Sequence, residues 1–160
     1  MEKAAEKLMQ VLAQEADVYE DILALSKKKT DIIVAGKVSE LESITRVEQS
    51  MVLGMHKLEE MREAALNEVS GELGMKPEEV HVSTLVERFA GTAAAKLKEW
   101  QGKMSGILDE LRESNKLNSR LIKNAIEYID FSISLMTIAD GGNNNYGQTG
   151  CVNAAKNRNL

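Results

Sequence analysis

The sequence has 160 residues, a formal net charge of −5 and only 4% aromatic residues. This length allows one domain with a modest hydrophobic core. The acidic balance argues against nucleic acid as a partner, because nucleic-acid binding calls for a basic patch. A single proline, few aromatic residues and many Ala, Glu, Lys, Leu and Met residues are typical of long helices.

The first segment, residues 2–35, carries apolar residues at helical spacing and contains neither glycine nor proline. Gly36 is the expected end of this helix, because glycine tolerates the left-handed conformation that closes helices. Ser39 and Glu42 have the spacing of a capping box, which predicts that a second helix begins at Ser39. Because the connection is short, the two helices are predicted to lie side by side in antiparallel orientation.

A near-heptad stripe of apolar residues runs along the second helix, which is typical of helices that pack as in coiled coils. Glu48 and Arg62 stand at two positions of this repeat where apolar residues are expected. The apolar members of the stripe are Leu41, Ile44, Met51, Met55, Leu58, Ala65 and Val69.

The segment 70–77, "SGELGMKP", holds two glycines and the only proline, and predicts a break in the helical pattern. A short helix is predicted to follow, with Thr84 as its cap and Glu87 at the reciprocal position. Gly91 interrupts the pattern once more.

From about residue 92 to residue 139 the helical pattern resumes and predicts a third long helix. Two asparagines, Asn115 and Asn118, fall on its apolar stripe. If they are buried, they must be hydrogen-bonded and can set the register between helices; if they are exposed, they carry no structural meaning. The apolar members of the stripe are Leu97, Met104, Leu108, Leu111, Ile122, Ala125, Ile129 and Met136.

Together these elements predict an all-α fold, an elongated antiparallel helical bundle with coiled-coil-like packing, three long helical segments and one short helix. We expect residues 1–139 to form the helical domain and residues 140–160 to form a flexible tail. The tail has almost no large apolar side chain and no periodicity, so it cannot bury a core of its own.

The sequence predicts a cytoplasmic protein without membrane insertion. The start, "MEKAAEKLMQ", lacks the apolar run of a secretory signal, and no window reaches the ~18 apolar residues of a membrane span. Cys151 has no second cysteine to pair with, which fits a reducing compartment.

The sequence predicts neither an enzyme nor a cofactor or metal site. A di-iron helical bundle needs two Glu-x-x-His motifs, and the only one present, Glu78 to His81, stands beside Pro77 outside the long helices. The other histidine, His56, is expected at the surface of the second helix. Cys151 lies in the predicted tail without a base beside it.

Residues 121–139 are more apolar than a helix in a small bundle requires, since such a helix needs an apolar stripe of ~100° or a little more. Surplus apolar surface of this kind predicts a binding site for another chain, and an amphipathic helix is its natural ligand. Two alternatives stay open at this point: the bundle covers the surface itself, or a homodimer does.

Two stretches of the sequence resemble the FlgN family of flagellar export chaperones. The first is "NKLNSRLIKNAIEYIDFSISLMT", followed by a Gly- and Asn-rich gap and then "YGQTG". The second is the N-terminal "VYEDILALSKKKTDIIVAGKVSELESITRVEQSMV". The likeness spans most of the chain, but residues 70–95 agree only in length and helical character.

The resemblance implies a cytosolic chaperone of type III flagellar export that binds the C-terminal amphipathic helix of hook-associated junction proteins. It also implies delivery of these clients to the cytoplasmic domain of the export gate, with Tyr146 and Gly147 in the tail as the docking residues. The residues that would contact the client helix are Leu121, Ile122, Ala125, Ile126, Ile129, Ile133 and Met136.

Two other functions use the same sequence features. A structural coiled-coil or dimerisation protein needs the apolar stripes and gives Tyr146 no role. A regulatory adaptor without an export client would use the same apolar surface and differ only in the protein that it binds.

Overall fold

The computed structural model describes residues 2–141, which are almost entirely helical and contain no strand. The predicted all-α fold of three long helices and one short helix is confirmed. Residues 142–160, most of the predicted tail, lie outside the described residues, whereas Asp140 and Gly141 still belong to the last helix. The elements are α1 (Glu2–Val34), α2 (Val38–Leu73), a 3-10 turn (Pro77–Glu79), α3 (Val82–Arg88) and α4 (Gly91–Gly141).

Gly36 ends α1 as predicted, in the left-handed conformation with φ +67°. Its N–H donates to the carbonyl of Ile33 at 3.1 Å, and the N–H of Lys37 donates to the carbonyl of Ile32 at 3.2 Å. This pair of bonds is the Schellman motif, which satisfies carbonyls that the end of a helix leaves without partners. A residue with a Cβ would be strained in this position.

The predicted capping residues are wrong, because both helices begin before them. The turn at Gly36 leads directly into α2, whose N-cap is Lys37, so that Ser39 lies inside the first turn. In the same way His81 precedes α3, and Thr84 lies inside the helix. Neither N-cap residue makes a side-chain capping bond.

The second helix also runs further than the predicted break at residue 70. It continues through Gly71 to Leu73 and ends at Gly74, which has φ +64°. The N–H of Met75 donates to the carbonyl of Ser70 at 3.1 Å, so this end repeats the motif at Gly36. A glycine inside a helix costs only ~1 kcal/mol relative to alanine, which neighbouring residues offset.

Ion pairs across α1 and α2 show the predicted antiparallel arrangement. Lys29 Nζ lies 2.7 Å from Glu48 Oε2, and Arg62 Nε lies 3.5 Å from Glu15 Oε1. The residue number falls on α2 as it rises on α1, as antiparallel packing requires. The two charges that interrupt the apolar stripe of α2 therefore have partners at matching positions of α1.

The fourth helix runs parallel to α1. Among the side-chain hydrogen bonds between the two helices, three join residues that are 88 positions apart in the sequence. A constant offset means that both helices advance in the same direction, and the region around α3 returns the chain to the start of the bundle. The bonded residues are Leu12 with Trp100, Ser26 with Ser114 and Thr30 with Asn118.

The apolar core lies at the end of the bundle where α3 packs. Leu8 and Leu85 are fully buried there, which places α3 directly on the start of α1. Fully burying a leucine side chain contributes about 1.5–3 kcal/mol, so these contacts hold the short helix in place. The buried cluster consists of Ala4, Leu8, Leu12, Ala65, Val69, Val80, Leu85 and Leu97.

A buried polar layer joins α1 and α4 further along the bundle. Asn118 is only 2% exposed; its Nδ2 donates to the carbonyl of Ser26 at 2.9 Å, and its Oδ1 accepts from Thr30 Oγ1 at 2.6 Å. Ser26 Oγ also donates to Asn115 Oδ1 at 3.0 Å and lies 2.8 Å from Ser114 Oγ. The requirement that a buried asparagine be hydrogen-bonded is therefore met at Asn118, whereas Asn115 is exposed but still bonded.

We predict that Asn118→Ala lowers the free energy of unfolding by about 2–3 kcal/mol, because it removes the hydrogen bonds that the buried amide makes to Ser26 and Thr30. Chemical denaturation in urea measures the change. Asn124→Ala, an exposed position on the same helix, serves as the matched control and should change stability by less than ~0.5 kcal/mol. Equal losses in the two variants would contradict the structural role of the polar layer.

Glu15 is a buried carboxylate between α1 and α2, with 4% of its surface exposed. Burial raises the pKa of Glu15 above its usual value of 4.5, the positive charge of Arg62 opposes this rise, and Glu59 adds to it. The folded state therefore binds a proton at Glu15 more tightly than the unfolded state does. The stability that protonation contributes is present at low pH and is lost as the pH rises from about 4.5 through the folded-state pKa.

We predict that Glu15→Gln gains stability relative to the unaltered protein as the pH rises through this window. The glutamine side chain keeps the shape of glutamate without a charge to bury. Thermal unfolding measured over a series of pH values tests the prediction. Arg62→Gln removes the positive charge that opposes the rise of the Glu15 pKa, so this variant should lose more stability than the unaltered protein as the pH rises. An equal loss in the two proteins would contradict the proposed interaction of Glu15 with Arg62.

Candidate functional site

Large apolar side chains are exposed along the last part of α4. The chain divides into two compact units, Met1–Leu121 and Ile122–Leu160, and the described part of the second unit is helix 122–141, which we call the exposed segment. Eight of its large apolar side chains have exposed fractions from 51% at Leu135 to 72% at Tyr128, whereas Ile122 is part-buried. These side chains are Ile126, Tyr128, Ile129, Phe131, Ile133, Leu135, Met136 and Ile138.

Three hydroxyl side chains of the exposed segment are hydrogen-bonded within the helix itself. Ser132 Oγ donates to the carbonyl of Tyr128, Ser134 Oγ to that of Asp130, and Thr137 Oγ1 to that of Ile133, each at 2.9 Å. The segment continues a helix that is already formed from Gly91 onward, so it does not bear the cost of helix nucleation. It can therefore stay helical while its apolar side chains face solvent.

The large apolar side chains of the exposed segment form two stripes, since each residue turns the helix by ~100°. The isoleucine stripe consists of Ile122, Ile126, Ile129, Ile133 and Met136, with alternating spacings of four and three. The aromatic stripe consists of Tyr128, Phe131, Leu135 and Ile138, with alternating spacings of three and four, and lies on the nearly opposite side of the helix.

Different residues separate the two stripes on their two margins. One margin carries the small side chains of Ala125, Ser132 and Ala139. The other carries charges, among them Lys123 and Asp130. An apolar surface with such small residues between its two stripes spans more than the ~100° that a helix needs to pack on one neighbour.

Five of the seven predicted client-contact residues are exposed. Ala125 lies on the small-residue margin, and the other four belong to the isoleucine stripe. Leu121 and Ile122 are part-buried. The expectation that this region shows surplus apolar surface agrees with these exposures, whereas the contact with a client stays a prediction. The exposed residues are Ala125, Ile126, Ile129, Ile133 and Met136.

The predicted site does not include the aromatic stripe, although the side chains of this stripe are more than half exposed. The three–four spacing of Tyr128, Phe131, Leu135 and Ile138 is the signal that could have found it. The predicted docking residues Tyr146 and Gly147 lie outside the described residues.

The two histidines of the chain lie on different elements of the fold. His56 is exposed on α2, His81 is exposed ahead of α3, and Cys151 lies outside the described residues. Within residues 2–141 no group of three or more His, Cys, Asp or Glu side chains is placed to hold a metal ion. None of the helices in this range combines the length and the apolar character needed to cross a membrane.

Comparison with known proteins places the whole chain in one family. A family model described as "FlgN protein" matches residues 1–154. The chain is also similar to a Bacillus subtilis (strain 168) protein described as "Uncharacterized protein YvyG", with 25% identity over 146 residues that cover 91% of this chain and 88% of the relative. No solved structure matches the chain significantly. Because the family model covers nearly every residue, the chain belongs to the FlgN family, a family of flagellar export chaperones.

Proposed function

We propose that this protein is a cytoplasmic chaperone of type III flagellar export that binds the C-terminal amphipathic helix of hook-associated junction proteins. Membership of the FlgN family supports the general class. The observation that carries the client site is the isoleucine stripe, in which Ile126, Ile129 and Ile133 are 54–57% exposed on a continuous helix. A client helix with apolar residues at matching spacing would lie along this stripe and hide its own apolar face.

The size of the apolar surface predicts a reversible complex. Burying what remains exposed of the isoleucine stripe contributes on the order of 10 kcal/mol at ~25 cal/mol per Å². Association costs about 4–15 kcal/mol in lost freedom of motion, so this stripe alone does not hold a client tightly. Further contacts, for example with the aromatic stripe, have to supply the rest. Such a balance suits a chaperone that must release its client at the export gate.

We predict that Ile129→Asp together with Ile133→Asp reduces client binding by 100-fold or more, because both carboxylates would lie in the apolar contact. Calorimetry with the C-terminal helix of a junction protein measures the affinity, and circular dichroism checks that helicity is retained. Ser134→Asp together with Thr137→Asp adds the same charge to exposed positions outside both stripes and should leave binding nearly unchanged. Unaltered affinity of the isoleucine double variant would reject the isoleucine stripe as the client site.

We further propose that Tyr146, followed by Gly147, docks the chaperone on the cytoplasmic domain of the export gate. This role rests on the family resemblance of the "YGQTG" stretch. An aromatic side chain that fills a pocket can contribute ~2 kcal/mol or more as an anchor. A single anchor of this size gives a weak contact, as a transfer step requires.

We predict that Tyr146→Ala weakens binding to the export gate by about 30-fold and leaves client binding unchanged. Tyr146→Phe keeps the ring and should retain most of the affinity for the gate. Titration of the isolated gate domain with each variant gives the comparison. If Tyr146→Ala binds the gate as well as the unaltered protein does, another part of the chain makes this contact.

The alternative function, a structural dimerisation protein without a client, makes use of the same isoleucine stripe. It predicts a stable homodimer that does not dissociate when a junction protein is added. A pull-down with junction proteins separates it from the chaperone function.

A further inference from the structure

We infer that the aromatic stripe of the free protein is covered by the aromatic stripe of a second copy in antiparallel orientation. The pairing uses only residues of the exposed segment. It leaves the isoleucine stripe, on the nearly opposite side of the helix, open to solvent. The pairing itself does not depend on the proposed function, whereas its consequence for client binding rests on that function.

The spacing of the aromatic stripe is the same when it is read from either end. Its four residues are three, four and three positions apart. In an antiparallel pair centred on the stripe, Tyr128 of each copy therefore lies opposite Ile138 of the other, and Phe131 lies opposite Leu135. Each of these contacts occurs twice by symmetry, as an isologous pair requires. All four side chains are more than half exposed in the single chain, so they are available for this contact.

This alignment avoids the part of α4 that α1 covers. Gly141, the end of α4, lies opposite Ala125 of the second copy, so the paired region spans residues 125–141. Residues 114–121, among them Asn118 with its hydrogen bonds to α1, take no part in it. Each helix therefore ends before it reaches the bundle of its partner.

Neither neighbouring heptad register keeps these contacts. A shift by one heptad towards α1 would place Leu135 opposite Asn124 and bring the end of the second helix alongside Asn118. A shift by one heptad in the other direction would place Tyr128 and Phe131 opposite residues beyond the end of α4. Only the central alignment buries the whole aromatic stripe.

No like charges meet beside the paired stripes. On the small-residue margin Ala125 lies beside Ala139 of the second copy, so the two helices can approach closely. On the other margin the two copies of Ser134 lie beside each other, and Glu127 lies beside Gly141. The margins therefore neither repel nor separate the two helices.

The isoleucine stripe is less suited to self-pairing. Its antiparallel alignment that keeps clear of α1 places Ile129 opposite Ile133 and Ile126 opposite Met136. The same alignment brings the Asp130 carboxylates of the two copies together, and like charges at such flanking positions oppose association. The charges therefore direct self-pairing to the aromatic stripe.

The exposed area of the aromatic stripe is sufficient for a reversible dimer. Tyr128 is 72% exposed and Phe131 is 61% exposed. Large aromatic side chains bury about 150–250 Å² each, so covering the four residues in both copies removes on the order of 1,000 Å² from water. Specific interfaces begin at about this size, which predicts a concentration-dependent equilibrium between monomer and dimer.

Pairing and client binding then use different sides of the exposed segment. A dimer presents two isoleucine stripes, one on each copy, and can hold two client helices. Any contact of a client with the aromatic stripe competes with the second copy, so a client on an intact dimer is limited to the isoleucine stripe. The expected complex contains two chaperones and two helices.

Analytical ultracentrifugation of the full chain tests which stripe pairs. The unaltered protein should show a monomer–dimer equilibrium. Phe131→Asp should weaken dimerisation by about 100-fold or more, because the pair would bury two carboxylates against Leu135. Ile133→Asp is the matched control: it adds the same charge at a similarly exposed position on the opposite side of the helix and should leave dimerisation unchanged.

Circular dichroism should show equal helicity in the two variants. The inference is overturned if the unaltered protein stays monomeric at every concentration. It is equally overturned if Ile133→Asp weakens dimerisation as much as Phe131→Asp does, because the isoleucine stripe would then be the surface that pairs.

Cysteine cross-linking tests the antiparallel register. Ala125→Cys and Ala139→Cys are prepared separately in a protein in which Cys151→Ser removes the native thiol. An equimolar mixture of the two variants should give a covalent heterodimer with a short thiol-specific cross-linker. Each variant alone should stay unlinked, since identical positions lie about 20 Å apart along an antiparallel pair. Linkage of each variant with itself, or no linkage in the mixture, would overturn the alignment.

Titration with the C-terminal helix of a junction protein separates the inference from the proposed function. Binding of two helices to an intact dimer supports both. Helix binding by a protein that never dimerises keeps the proposed function and rejects the inference. Dimers that are sensitive to Phe131→Asp but ignore the helix keep the pairing and reject the client site, whereas dimers that the helix dissociates reject the separate use of the two stripes.

Discussion

The hydrogen bonds of Asn118 determine which residue of α1 lies beside which residue of α4. A buried amide with its partners on the neighbouring helix opposes a shift along the helix axis, because a shift would separate Asn118 from Ser26 and Thr30. Apolar contacts alone would allow such a shift at a smaller cost. Thr30, one of these partners, stands four residues before the end of α1 at Val34. Asn118 therefore fixes the register between α1 and α4 about one helical turn before the end of α1.

Charged residues at apolar positions serve alignment in a similar way between α1 and α2. Glu48 and Arg62 interrupt a stripe that would otherwise be uniform, and each meets an opposite charge on α1. The arrangement does not serve stability alone. The raised pKa of Glu15 indicates that, at neutral pH, burying this carboxylate costs more free energy than its attraction to Arg62 contributes.

Periodicity and glycine placement were sufficient to predict the helices, the turn at Gly36 and the antiparallel hairpin. They were not sufficient for helix starts, because Ser39 and Thr84 have capping spacing but lie inside helices that began earlier. A serine or threonine near a helix start satisfies the same pattern whether it stands before the first turn or within it. The parallel direction of α4 relative to α1 depends on the long connection and could not be predicted from the stripes.

The surplus of apolar residues in 121–139 was visible in the sequence, but its division into two stripes was not used to define the site. Which member of the pair Asn115 and Asn118 is buried was also beyond the sequence, because both occupy the same stripe. Their difference arises from the side chains of α1 that happen to face them. Contacts between segments that are distant in the sequence decide which of the two asparagines is buried, and a single sequence does not show these contacts.

The only tryptophan of the chain, Trp100, lies in the first unit, part-buried, with its indole N–H donating to the carbonyl of Leu12 at 2.6 Å. Its fluorescence thus reports on the contact between α1 and α4 and is remote in sequence from the exposed segment. The emission spectrum of Trp100 can follow the unfolding of the bundle separately from the binding of another chain at the isoleucine stripe. The fluorescence of Trp100 is therefore a natural optical probe of the helical bundle, separate from the proposed client surface.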